Sequence, residues 1–118
     1  MPIQVSWNKC QGEVWCKLNT VNLAHEHFNN MAGVYILWHG GPNPATVYVG
    51  QGVIRDRFTA HRQNSDIQRY ESLGLYATWA AVPQANREGV ERFLANRLNP
   101  LVGEAHPDVP PLEVNLPW

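Results

Sequence analysis

Five side chains in this chain suit the hydrolysis of a phosphodiester bond: Tyr35, Tyr48, Arg57, His61 and Glu91. That reaction needs a base for the attacking water, positive charge on the phosphate and stabilisation of the leaving oxygen. One glutamate, together with water and phosphate oxygens, can hold a single Mg²⁺ or Mn²⁺ ion that acts as a Lewis acid. The set therefore predicts a metal-dependent site, provided that the fold brings its members together.

The two tyrosines lie on short β-prone segments, 33–35 (Gly-Val-Tyr) and 48–50 (Tyr-Val-Gly). The stretch between them, 39–45 (HGGPNPA), is rich in Gly, Pro and Asn, which predicts a β-hairpin. Because side chains alternate along a strand, a suitable register places both phenolic hydroxyls side by side on one face. We expect the two glycines to keep that face open.

The next segment, 53–63, is predicted to be a helix that carries two of the five side chains. At about 100° per residue, Ile54 and Phe58 form its apolar stripe. Arg57 and His61 are four residues apart along the edge of that stripe. A guanidinium and an imidazole beside a buried edge can be aimed at a site.

The strongest helix prediction covers 84–98, which Pro83 precedes and Pro100 stops. Glu91 lies at the margin of its apolar stripe, whereas Glu88 lies further round towards solvent. Glu91 is therefore the better candidate for a metal ligand. The stripe consists of Val90, Phe93, Leu94 and Leu98.

The remaining elements follow from turn residues and β propensity. We predict hairpin strands at 33–39 and 46–50, a second helical stretch at 65–73 and a third strand at 75–82. Residues 1–31 form an N-terminal extension with a short strand or two and a helical turn near 22–28. The tail 104–118 is proline-rich and is expected to lie extended on the surface. We expect one domain, 1–118, of α+β type.

Each candidate also has an ordinary structural explanation. The tyrosines would then be half-buried strand aromatics. Arg57 would pair with Asp56 or Glu91, His61 would lie on a surface face, and Glu91 would be one more surface charge. The order and spacing of the five together favour the functional interpretation.

Composition places the chain among globular proteins, since 44% of its 118 residues are hydrophobic. No apolar run approaches the roughly 18 residues of a membrane span, and no secretory signal is evident. We therefore expect a soluble cytoplasmic protein without a membrane partner. Cys10 and Cys16 would then be reduced, and their spacing with His25 and His27 matches neither common zinc pattern.

The net charge of −1 argues against a protein that coats nucleic acid. All the arginines nevertheless lie between Arg55 and Arg97. A phosphate-binding face is thus compatible with the sequence, as is a solvated helix surface.

The chain resembles the GIY-YIG endonuclease domain over residues 32–103. The motifs that carry the resemblance are Gly33-Val34-Tyr35, Tyr48-Val49-Gly50, Arg57-Phe58, His61, and a late helix with Glu91 followed by Leu98-x-Pro100. The family implies a small three-stranded antiparallel sheet flanked by helices and a one-metal mechanism.

The resemblance also implies a role for each site residue. Tyr48 matches the general base, Tyr35 the partner that orients water, and Arg57 the arginine on the scissile phosphate. His61 falls where the family carries tyrosine or histidine, and Glu91 matches the metal ligand.

Two positions depart from the family pattern. Gln51 stands where many relatives have lysine, and Gly103 where relatives often have asparagine. Arg55 or Arg62 could replace the missing charge, and we count Gln51, Arg55 and Arg62 as candidate substrate-binding residues.

The leading hypothesis is a metal-dependent endonuclease that cuts DNA, with structure-directed cutting or specificity supplied by a partner protein. The alternative is a module of the same fold that binds nucleic acid without cutting. A third hypothesis is an adaptor that uses the aromatic N-terminus and the proline-rich tail to bind proteins.

Overall fold

The computed structural model describes residues 3–103 and 106–118 of the chain. Four strands and three α-helices form an α+β fold, with short 3₁₀ turns at Glu26–Phe28 and Glu71–Leu73. In chain order the elements are β1 (Cys16–Lys17), β2 (Ala32–His39), β3 (Ala45–Val53), α1 (Ile54–His61), α2 (Ser65–Gln68), β4 (Leu75–Ala81) and α3 (Gln84–Leu98). The predicted hairpin, third long strand and two main helices are confirmed, and α3 has the predicted bounds.

The sheet is open and antiparallel, with the strand order β1-β4-β2-β3. The expected count of three strands is wrong, because β1 adds a fourth at the edge of β4. It contributes only two residues, and Cys16 pairs with Ala77. Two residues are too few to show the alternation of polar and apolar side chains that indicates a strand. The pairing of β1 therefore depends on β4 rather than on its own sequence.

The central strand β2 is buried on both faces. Tyr35 and Leu37 belong to a core that includes Phe58 of α1, whereas Val34 and Ile36 belong to a core that includes α3. The apolar run in β2 reflects this double burial. Its partner β3 is the outer strand on the other side of the sheet and leads directly into α1.

The N-terminal extension is held by a disulfide that the sequence did not predict. Cys10 and Cys16, expected to be reduced, are joined to each other. A turn brings them together, since Gly12 has φ +81° and Cys10 forms a bridge with Val14. The sulfurs are therefore not available as zinc ligands.

Two arginines of the α1 segment attach the N-terminal extension to the helix. Arg62 donates from Nε to the carbonyl of Leu18 at 2.8 Å and from Nη2 to that of Val21 at 2.6 Å. Arg55 donates from Nε to the carbonyl of Leu23 at 2.7 Å. Their positive charges are thus bound to backbone carbonyls.

The C-terminal tail packs more closely than a surface segment would, which corrects the sequence-based expectation. Val114 is buried and bridges Ile3 in parallel. Leu112 donates its amide to the carbonyl of Gly89 at 2.9 Å, and a Cβ at Gly89 would collide with the Leu112 side chain. A side chain at position 89 would therefore separate the tail from α3.

None of the helices within residues 3–103 and 106–118 has the length and apolarity that crossing a lipid bilayer requires.

We predict that Arg62→Met lowers the free energy of unfolding by about 1–3 kcal/mol, because two carbonyls lose a charged donor. Urea denaturation at neutral pH measures this change. Arg69→Met is the matched control, since Arg69 is exposed, and its effect should stay within about 0.5 kcal/mol. Equal stability of the two variants would show that the Arg62 contacts do not stabilise the fold.

Candidate active site

The site begins where Tyr35 of β2 faces Gly50 of β3. These residues are directly opposite each other in the antiparallel register, so their side chains project to the same face. A Cβ at position 50 would overlap the ring and hydroxyl of Tyr35. The space above Gly50 is therefore filled by the phenol, and it is not open as we expected. Gly33 does not open this face either, because a Cβ there would collide with the Ala80 carbonyl.

The Tyr35 hydroxyl lies between the two side chains predicted from α1. It is 2.6 Å from Nε2 of His61, and Nε of Arg57 donates to it over a longer 3.4 Å. Arg57 can only donate, so the phenol accepts from Arg57. The tautomer of His61 sets the direction of the hydrogen bond between the phenol and Nε2.

The protonation states of this trio agree with its hydrogen bonds. Burial, followed by the nearby Arg57 charge, lowers the pKa of His61 to about 4. Burial also raises the pKa of Tyr35 above its ordinary value, although Arg57 opposes the shift. The hydrogen bond to Tyr35 raises the pKa of Arg57. At neutral pH the site thus holds a neutral phenol, a neutral imidazole and a guanidinium cation.

Tyr48 lies beside this trio and keeps contact with solvent. Its ring is stacked on Tyr35, with centroids 6.1 Å apart and planes 12° from parallel, and is 4.6 Å from the His61 ring. Tyr48 is half-buried, whereas Tyr35 is fully buried. Tyr48 also contributes, less than Tyr35, to the raised pKa of Arg57. Tyr48 is therefore the phenol of the pair that a substrate can approach.

Gly103 packs directly against the Tyr48 ring. Its φ of +88° is in the left-handed region, and a Cβ would lie 2.9 Å from Cε2 of Tyr48. The segment before it runs along β3, where Val102 donates its amide to the carbonyl of Val47 at 2.8 Å. An asparagine at position 103 would require Tyr48 to move, so the glycine is explained by this contact.

Glu91 approaches the same group from α3. Its carboxylate is buried, as the helix spacing predicted, while Glu88 is exposed. Burial raises the pKa of Glu91, and His106 and Arg57 oppose that shift. Glu91 in turn acts on the pKa of Tyr35. The carboxylate is therefore within electrostatic reach of both Arg57 and Tyr35.

The two helices α1 and α3 pack on opposite faces of the sheet, yet both approach the same strand. Phe58 of α1 packs in the core on the Tyr35 face and Val90 of α3 in the core on the Val34 face. Both helices also contact the outer strand β3. Tyr35, Tyr48, Arg57 and His61 thus form one cluster beside β3, and the Glu91 carboxylate lies within electrostatic range of it.

Sequence analysis missed one residue of this site. Nδ1 of His106, in the C-terminal tail, lies 3.1 Å from Oε2 of Glu91. His106 follows Glu91 by fifteen positions and has no helix or strand periodicity to orient it. Only the packing of the tail on α3 reveals the contact.

The three candidate substrate-binding residues are placed differently from the five. Gln51 is paired with Val34, which puts it on the α3 face of the sheet and opposite to the Tyr48 face. Arg55 and Arg62 bind carbonyls of the N-terminal extension, as described above. The structure brings none of these three to the tyrosine hydroxyls.

The ordinary structural explanation for Arg57 was an ion pair with Asp56 or Glu91. In the part of the chain that the structure describes, the only ion pair is His106–Glu91, so Arg57 pairs with neither Asp56 nor Glu91. Its Nε donates to the Tyr35 hydroxyl instead.

The residues around Glu91 suit one divalent cation with few protein ligands. Over residues 3–103 and 106–118 no group of three or more His, Cys, Asp or Glu side chains is arranged to hold a metal ion. The pair Glu91 and His106 offers an oxygen and a nitrogen donor 3.1 Å apart. Two ligands about 2.1 Å from one metal ion and at right angles to each other are separated by about 3 Å. The separation matches two ligands of a shared cation, and it is equally that of the hydrogen-bonded ion pair that the two side chains form without one.

Comparison of the chain with models of known protein families, with curated proteins and with solved structures finds no match.

We predict that His61 makes folding depend on pH between its ordinary pKa of 6.5 and about 4. The folded state keeps the imidazole neutral, so the stability it contributes is present above pH 6.5 and is lost as the pH falls towards 4. Urea denaturation at pH 7 and at pH 4.5 should show that the free energy of unfolding decreases less for His61→Gln than for the wild type. His25→Gln, at an exposed position, should behave like the wild type. An NMR titration that gives His61 a pKa near 6.5 would contradict the burial argument.

Proposed function

We propose that this protein is a metal-dependent endonuclease that hydrolyses phosphodiester bonds in DNA. The observation that carries the proposal is the cluster of Tyr35, Tyr48, Arg57 and His61 beside β3, with the Glu91 carboxylate within electrostatic range of it. The order of these residues along the chain, similar to that of the GIY-YIG endonuclease domain, supports it independently.

The two tyrosines have different roles in the proposed reaction because their surroundings differ. Tyr35 is fully buried, is hydrogen-bonded to His61 and has a raised pKa. It therefore acts as a fixed positioning group rather than as a base. Tyr48 is half-buried and stacked beside it, which leaves Tyr48 as the general base for the attacking water.

Arg57 holds the scissile phosphate. Its guanidinium is half-buried beside the phenols and is not neutralised by a carboxylate within residues 3–103 and 106–118. A guanidinium binds phosphate oxygens through paired hydrogen bonds and stabilises the charge that develops on them. His61 keeps the Tyr35 hydroxyl in place, so that Arg57 and Tyr48 keep a fixed relation to each other.

Glu91 and His106 are the residues that would hold the divalent metal, Mg²⁺ or Mn²⁺. When bound, the metal would supply Lewis-acid stabilisation of the leaving oxygen. An imidazole beside the carboxylate favours Mn²⁺ over Mg²⁺, because Mg²⁺ prefers oxygen ligands.

A second candidate function is a module of the same fold that binds nucleic acid without cutting. The contact between His106 and Glu91 favours it, because the imidazole already occupies the carboxylate that catalysis would use. Gln51 in place of lysine favours it too. Salt-dependent binding without cleavage is the result that this function predicts.

We predict that the protein nicks plasmid DNA, or cuts branched or single-stranded DNA, in the presence of Mg²⁺ or Mn²⁺. Glu91→Ala should reduce the rate on the order of 100-fold or more, as expected when one transition-state stabiliser is lost. Glu88→Ala is the matched control, because it removes an exposed carboxylate three residues earlier in the same helix. The endonuclease proposal fails if the wild type cuts none of these substrates, or if the two variants are equally active.

We predict that Glu91 and His106 bind Mn²⁺ together. Electron paramagnetic resonance of free Mn²⁺ should show affinity reduced at least tenfold in Glu91→Gln and about tenfold in His106→Ala, while Glu88→Gln matches the wild type. Tighter Mn²⁺ binding by His106→Ala would instead make His106 a competitor for Glu91, in agreement with the second function. This measurement needs no catalytic activity.

A further inference from the structure

A cavity of about 570 Å³ lies between the N-terminal extension and β4, and we call it the lysine pocket. Its volume is in the range of small-molecule sites. Buried members of its lining, such as Phe28 and Trp79, belong to the core on the Tyr35 face of the sheet. The polar side chains of the lining include Lys9, Lys17, His25 and His27.

The disulfide holds the two lysines at this pocket. Lys9 precedes Cys10 and Lys17 follows Cys16, and the chain has no other lysine. The Cα atoms of the two cysteines are 5.1 Å apart. Because consecutive Cα atoms are about 3.8 Å apart, the lysine Cα atoms are separated by no more than about 13 Å. Two ammonium groups on flexible four-carbon side chains can therefore reach one ligand.

No carboxylate opposes these two charges inside the lysine pocket. None of the lining residues is Asp or Glu, and within residues 3–103 and 106–118 neither lysine forms an ion pair. Nζ of Lys9 lies 4.6 Å from the centre of the Trp15 ring. A cation–π contact at an exposed site is weak, so this ammonium can leave the ring for an anion.

Two imidazoles of the lining also supply hydrogen-bond donors. The indole N–H of Trp79 donates to Nε2 of His27 at 3.0 Å, and the backbone N–H of His27 donates to Nδ1 of His25 at 3.0 Å. Neither of these N–H groups can accept, so each neutral imidazole has its proton on the other ring nitrogen. Nδ1 of His27 and Nε2 of His25 are therefore N–H donors, and both side chains are exposed.

The backbone around these side chains is fixed by contacts with α1 and with the sheet. Arg62 donates to the carbonyl of Val21, and Nη2 of Arg55 donates to the carbonyl of His25 at 3.3 Å. Cys16 is paired with Ala77 of β4. A site whose backbone is already ordered binds a ligand at a smaller entropic cost.

We propose that the lysine pocket binds the terminal phosphate of a nucleotide, either free or at the end of a DNA strand. A phosphate monoester has a charge of about −1.5 to −2 at neutral pH and three acceptor oxygens, which matches two ammonium groups and the imidazole donors. A phosphodiester has a single negative charge and would leave one lysine without a partner. Phe28, Trp79 and the disulfide offer the base an apolar surface. This inference does not depend on the proposed endonuclease function.

Isothermal titration calorimetry of the oxidised protein with thymidine monophosphate, thymidine and inorganic phosphate tests the proposal. Thymidine monophosphate should bind most tightly, because it alone has both the phosphate and the base. Lys9→Gln and Lys17→Gln should each weaken its binding about tenfold, the loss expected for one charged hydrogen bond. Both lysines are exposed, so these variants keep the fold. Arg69→Gln removes an exposed cation outside the lining and should match the wild type.

The disulfide variant tests how the two lysines are held. Cys10→Ser combined with Cys16→Ser keeps both lysines and removes the link between them. The affinity for thymidine monophosphate should fall about threefold or more, because the two charges are no longer held in one place. Urea denaturation shows whether this variant is folded. If it is not, the lysine variants, which keep the disulfide, decide the proposal.

Oligonucleotides distinguish the two sources of the phosphate. If strand ends are the ligand, oligo(dT) with a terminal phosphate should bind more tightly than oligo(dT) with a terminal hydroxyl, and Lys17→Gln should abolish the difference. Equal binding of the two oligonucleotides, with tight binding of thymidine monophosphate, identifies the free nucleotide.

Three results would overturn the inference. Thymidine monophosphate could bind no more tightly than thymidine, which would show that the phosphate is not recognised. Both lysine variants could bind it as tightly as the wild type does. Inorganic phosphate could bind as tightly as thymidine monophosphate, which would show that the apolar surface contributes nothing.

Discussion

The contact of the Tyr35 ring with Gly50 is the constraint on which the candidate site depends. Because position 50 has no Cβ, the ring crosses to the outer strand and its hydroxyl reaches His61 and Arg57. Buried polar groups are hydrogen-bonded in nearly all proteins, and His61 is a partner of the buried Tyr35 hydroxyl. The absence of a side chain at position 50 thus allows Tyr35, His61 and Arg57 to form one cluster.

The edge of the sheet is the second determinant of the site. Since β3 is an outer strand, α1 and α3 can both contact it while their cores lie on opposite faces. Glu91 therefore reaches the electrostatic surroundings of Arg57 without sharing a face with it.

Several features of the molecule were not predictable from local sequence patterns. β1 exists only because β4 offers it an edge, and the disulfide forms only because a turn at Gly12 brings Cys10 to Cys16. Arg55 and Arg62 looked like phosphate ligands, yet they bind carbonyls of the N-terminal extension. A charge pattern in a helix shows that a cation is present and does not show what it contacts.

The sequence by itself determined the local geometry of this protein. Alternation along β2 and β3 placed both tyrosines on one face, and helical spacing selected Arg57 with His61 and Glu91 over Glu88. Both periodicities belong to the backbone and need no distant contact. The tertiary structure alone decided that Tyr35 is a buried positioning group, that Tyr48 is accessible and that His106 meets Glu91. These outcomes depend on strand order and on how the tail packs, which local periodicity does not encode.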